Sequence, residues 1–172
     1  MEDETGSGSG HGFAPVTDWD DAYVNTGHIP DGPTHLPRWR RLSQAAQATA
    51  RIESGIFMPQ GVPRGLMVFI HGGYWMATGP DDYAHLSQGA VARGWAVLIP
   101  PYPLAPEAGF AQMIRALAAA ISDAATRIPG PISLCGHSAG GHLAMRLVCD
   151  DTPLPARILG RVARVVPISG LF

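Results

Sequence analysis

Residues 132–144 read Ile-Ser-Leu-Cys-Gly-His-Ser-Ala-Gly-Gly-His-Leu-Ala, and their reading decides the fold. Ile132-Ser133-Leu134-Cys135 is a short apolar run bounded upstream by Pro129-Gly130-Pro131, the pattern of a strand buried on both faces. From about Ala139 to Cys149 the chain reads as a helix with Leu143, Leu147 and Val148 inward. Between the two lies Gly136-His137-Ser138-Ala139-Gly140, a G-x-S-x-G pattern at a strand-to-helix turn. Such a turn is sharp, so the neighbours of its serine must be small, and Gly136, Ala139, Gly140 and Gly141 all are. It lifts the Ser138 hydroxyl above the carboxyl ends of the strands, where open α/β sheets bind ligands. Ser138 is therefore the candidate nucleophile. The plainer alternative is a serine whose side chain caps the helix.

The same alternation extends upstream and downstream. Gly65 to Ile70 and Trp95 to Ile99 are further continuous apolar runs, closed by Gly72-Gly73 and by Pro100-Pro101. A helix is expected from Pro80, with Asp81 and Asp82 in its positive first turn, to Arg93-Gly94. Phe110, Met113, Ile114, Leu117, Ile121 and Ala125 mark one face of another helix. Val162 to Ile168 reads as a last strand, Ile56 to Met58 as a short one, and Trp39 to Arg51 as helical. Alternating two-sided strands and helices mean an α/β fold with a mostly parallel sheet flanked by helices. Residues 1–16 read as a flexible Gly/Ser-rich tail and residues 17–172 as one domain.

A second motif, His71-Gly72-Gly73-Tyr74-Trp75, follows the first long strand. Acyl transfer builds negative charge on a carbonyl oxygen and needs backbone N–H donors aimed at it. Glycines let the main chain approach a substrate without a Cβ in the way. The N–H of Gly73, with Gly72 or Tyr74 as alternatives, can converge with that of Ala139. A plain turn after a strand would explain the glycines alone. It would not explain their placement, in the right order, 65 residues before Ser138.

Composition removes other classes. Of the 172 residues, 46% are apolar and 15% charged, enough for a full core and too ordered a mix for a disordered chain. The net charge of −2 offers no field for nucleic acid or anionic lipid. All 12 basic residues are Arg, which excludes a P-loop and a Schiff-base lysine. No apolar run has the ~18–20 residues of a membrane span, and the acidic, Gly-rich N-terminus does not read as a signal peptide, so a cytoplasmic home is the expectation. Cys135 and Cys149 are expected as buried reduced thiols. The histidines show no metal-binding spacing, and neither metal nor cofactor is expected.

HGGYW followed by GHSAGGHLA resembles the α/β-hydrolases, in particular bacterial esterases similar to kynurenine formamidase. Tyr102-Pro103-Leu104-Ala105-Pro106-Glu107 is similar to the YRLAPE segment of hormone-sensitive-lipase-like esterases, with Pro103 in place of Arg, and WDDAYVN at residues 19–25 looks like the leader of such enzymes. The resemblance implies Ser138 as nucleophile of a serine hydrolase acting on a small carboxylic ester or (aryl)formamide. It implies Gly72, Gly73 and Ala139 around an oxyanion hole, His71 as a loop-positioning residue, and Tyr74, Trp75 and Tyr102 as substrate-pocket walls. Two departures stand out. Only RIESG separates Ala50 from Ile56, so the first strand pair should be shortened or missing. In this fold the triad runs Ser, then Asp or Glu, then His, on loops after later strands, and the chain stops beside the strand that follows the elbow helix. His137, His142 and His85 read poorly as substitutes. The expectation is an incomplete α/β-hydrolase fold, with two functional readings: a serine hydrolase completed from elsewhere, or a catalytically incomplete fragment. The last strand, with Arg164 its only charge, is expected to expose an edge and to self-associate.

Overall fold

A computed structural model describes residues 45–48 and 50–172. Its centre is a six-stranded sheet of order β1-β2-β4-β3-β5-β6: β1 Ile52–Glu53, β2 Ile56–Phe57, β3 Leu66–Ile70, β4 Ala96–Leu98, β5 Ile132–His137 and β6 Val162–Ile168. The last four strands run parallel, and β1 and β2 are antiparallel to their neighbours. The first strand pair is thus shortened to two residues each, not missing.

The apolar runs became central strands because both of their faces are covered. Along β3, Leu66, Val68 and Ile70 enter one core while Phe69 enters the other, and β5 divides Ile132 and Leu134 from Cys135 in the same way. The larger core is roofed by α2, Phe110–Arg127, and α3, Ala139–Arg146, through Met113, Leu117, Ile121, Leu143 and Leu147. The smaller is closed by Tyr83, Ala84, Ala90 and Val91, from the 3-10 stretch Pro80–Leu86 and the short helix α1, Ser87–Val91. A single helix was expected over 80–93. The stretch instead begins as 3-10 turns, and Gly89 lies within α1, where glycine is a poor helix former.

Other differences are local. The expected helical face of α2 is buried from Met113 onward, but Phe110 is 53% exposed, because it stands in the first turn above the sheet's end. A short helix α4, Ala156–Leu159, has too few residues for a periodic signal. Arg161, just beyond it, donates to the carbonyls of Ala125, Ile128 and Gly130 at 2.7, 2.5 and 2.8 Å and closes the C-terminal end of α2. Both cysteines are free; Cys135 is buried, but Cys149 is half-buried because it follows the last turn of α3. The tail, the WDDAYVN segment and most of the helix expected over 39–51 lie outside the described residues, of which 45–48 are helical.

Candidate active site

β3 and β5 are adjacent and parallel, with Ile70 in register with Gly136, so the loops that leave their carboxyl ends meet. The β5 loop is the elbow. Ser138 has φ +52° and ψ −116°, a strained backbone for a residue with a side chain. The turn closes because nothing obstructs it: a Cβ on Gly140 would stand 2.0 Å from the Ile70 carbonyl oxygen, and one on Gly136 2.1 Å from that of Gly140. The Ser138 N–H donates to the Ile168 carbonyl at 2.8 Å, which ties the elbow to the end of β6. The Ser138 hydroxyl makes no capping hydrogen bond to α3, so the helix-cap alternative is not the observed arrangement. Ala139 is the first residue of α3, and its N–H is one of the orphan donors of a helix start.

The β3 loop carries His71-Gly72-Gly73. His71 is buried, its ring between Tyr102 at 4.3 Å and Tyr83 at 5.8 Å between centroids. Burial lowers its pKa, so the imidazole is held neutral. Its Nδ1 lies 2.9 Å from the Gly72 carbonyl; a carbonyl can only accept, so the proton is on Nδ1. Gly73, at φ +101°, takes a conformation that side chains disfavour, and a Cβ there would meet the Ala77 oxygen at 2.2 Å. Among the described residues, no backbone carbonyl accepts from the N–H of Gly72 or of Gly73.

The residues expected as pocket walls separate into three positions. Tyr74 is 61% exposed on the outside of the loop. Trp75 is half-buried, edge-on to Phe110 at 5.2 Å and to His142 at 5.5 Å. Tyr102 is no wall: it is buried under the loop, because its ring stacks on His71 and its hydroxyl donates to the His71 carbonyl at 2.9 Å. The indole Nε1 of Trp75 and the Nδ1 of His142 are buried without a hydrogen-bond partner. Burial lowers the pKa of both His142 and His137, with Arg146 adding to the effect at His142. Asp151 is exposed and accepts a two-pronged hydrogen bond from Arg146 that lowers its pKa. No cluster of metal-ligating side chains occurs among the described residues. None of their helices is long and apolar enough to cross a membrane. Thr78, whose hydroxyl donates to the Gly72 carbonyl at 3.1 Å, escaped the sequence reading, and Phe110, read as part of a helix face, packs here against Trp75 and His142.

A family model described as an alpha/beta hydrolase fold matches residues 67–160, more than half of the chain. The chain belongs to the α/β-hydrolase family. Kynurenine formamidase from Danio rerio is 33% identical over 89 residues, which are 50% of this hydrolase chain and 30% of that protein. A crystal structure of a candidate thioesterase from Silicibacter sp. TM1040 superposes with TM-score 0.73 at 40% identity, covering 88% of this chain and 63% of that one. A bacterial heroin esterase gives TM-score 0.51 at 29% identity, covering 66% of this chain and 36% of its own. The hydrolase chain therefore spans under a third of the formamidase it matches and just under two thirds of the thioesterase-like structure.

Proposed function

We propose that this α/β-hydrolase chain carries the nucleophile and oxyanion half of a serine hydrolase for small carboxylic esters or (aryl)formamides. One observation carries the reading: Ser138 sits at strained positive φ, with its hydroxyl free of the helix cap it could have made. In the reaction, Ser138 Oγ attacks the substrate carbonyl carbon and loses its proton to a general base. The oxyanion that forms is met by the N–H groups of Ala139 and Gly73, with Gly72 beside them. Its collapse expels the alcohol or amine, which takes up the proton, and water then releases the acid from Ser138.

A second reading, that the chain alone is catalytically incomplete, is favoured by His142. A triad histidine has its Nδ1 held by a carboxylate, whereas the Nδ1 of His142 is buried without a partner. In that reading, base and acid come from residues packed against β6, supplied by another copy or another chain.

The test is a fluorophosphonate probe followed by peptide mapping. The adduct is expected on Ser138 and is expected to vanish in Ser138→Ala. Labelling that survives the substitution removes Ser138 from the role. Turnover of p-nitrophenyl acetate separates the readings: Ser138-dependent turnover by the chain alone overturns the second, and labelling without turnover overturns self-sufficiency.

A further inference from the structure

The carbonyl oxygen of Gly72 faces three side-chain donors. It accepts from His71 Nδ1 at 2.9 Å, from Thr78 Oγ1 at 3.1 Å and, at the long limit of 3.5 Å, from the Tyr102 hydroxyl. The Tyr102 hydroxyl lies closer to the His71 carbonyl, at 2.9 Å. The Gly72 carbonyl and the Gly73 N–H belong to one planar trans peptide and point in opposite directions. A carbonyl drawn in among His71, Thr78 and Tyr102 therefore turns the Gly73 N–H to the other side of the loop. With glycine on both sides of this peptide, rotation of the plane is otherwise cheap. A rotated plane would present a carbonyl where the oxyanion needs a donor.

We infer that Thr78 and Tyr102 are positioning residues that set the direction of the Gly73 N–H; this rests on the acyl-transfer reading above. Three further observations agree. Thr78 is held at φ +64°, unusual for a β-branched residue, and a Cβ on Gly73 would stand 2.7 Å from its hydroxyl oxygen. The sandwich of Tyr83, His71 and Tyr102 keeps the His71 ring from turning away from Gly72. The amide N–H of Ala105 donates to the Trp75 carbonyl at 2.7 Å, so the 102–105 segment grips the loop at both ends. The same geometry chooses between the two glycines. The His71 carbonyl, bonded to Tyr102, also lies 2.5 Å from the point a Cβ on Gly140 would occupy. That peptide offers the elbow its carbonyl, so its N–H, that of Gly72, faces away. Gly73 is the donor.

The experiment is pre-steady-state phosphonylation of the full chain by a p-nitrophenyl phosphonate. Ser138 Oγ bonds to phosphorus, the bond to the aryl oxygen breaks, p-nitrophenolate leaves, and the serine proton passes to solvent. The limiting rate reads the oxyanion donors, and the half-saturating concentration reads binding. Thr78→Val and Tyr102→Phe are each expected to lower the limiting rate roughly tenfold with half-saturation unchanged, and Thr78→Ser to recover it to within about twofold. Limiting rates equal to that of the unsubstituted chain overturn the inference and leave Ser138 in place. So does a loss that Thr78→Ser fails to recover, which would make Thr78 a packing residue. Failure of the unsubstituted chain to form a Ser138 adduct overturns the acyl-transfer reading, and this inference falls with it.

Discussion

β5 and β6 are parallel neighbours, and they live in different surroundings. In β5, Ile132 and Leu134 are fully buried; in β6, Val166 and Ile168 are 46% and 45% exposed. The difference lies in their neighbours. β5 is paired on both sides and covered on both faces, whereas β6 is the last strand of the sheet. Pro167, with no N–H to donate, occurs in the strand that can tolerate it. Backbone strain does not divide them: Ser138 after β5 and Ser169 after β6 both take positive φ, +52° and +48°. The pairing of β5 with β6 runs from Ile132 to His137 and continues into the elbow, where the Ser138 N–H donates to the Ile168 carbonyl, so β6 reaches the backbone of the candidate nucleophile.

The comparison breaks first at matched truncations. Leu134→Ala is expected to cost about 2–5 kcal/mol in urea unfolding, through lost burial and a residual cavity. Val166→Ala, on the exposed edge, is expected to stay within about 0.5 kcal/mol. Equal costs at the two sites would mean that β6 is covered in solution. A smaller effect sharpens the picture at the start of β6. Arg161→Met removes charged donors from three carbonyls at the end of α2. It is expected to cost roughly 1.5–3 kcal/mol, since each carbonyl loses a charge-assisted partner. A loss under about 0.5 kcal/mol would show that water replaces the guanidinium freely.

Much of this contrast was legible in the residues. Continuous apolar runs mark strands covered on two faces, which is why β3, β4 and β5 could be read from the sequence. The elbow was legible because only small residues fit around a serine in so sharp a turn. The 3-10 start at Pro80 and the four-residue α4 were not legible, since periodicity needs length. Tyr102 was misplaced for a different reason. An aromatic beside a glycine-rich loop has the same sequence signature whether it lines a cleft or props the loop from beneath. Only the hydrogen bond to the His71 carbonyl distinguishes the two. Thr78 had no local pattern to mark it, and the periodicity that marked Phe110 assigned it to a helix face; their roles near the site arise from contacts between distant segments.

The most direct test of the central claim is a crystal structure of the chain after reaction with the phosphonate. The account predicts phosphorus bonded to Ser138 Oγ, with one non-bridging oxygen about 2.7–3.1 Å from the backbone nitrogens of both Gly73 and Ala139. Phosphorus on another residue, or an adduct on Ser138 whose oxygens all turn away from Gly73, would contradict it.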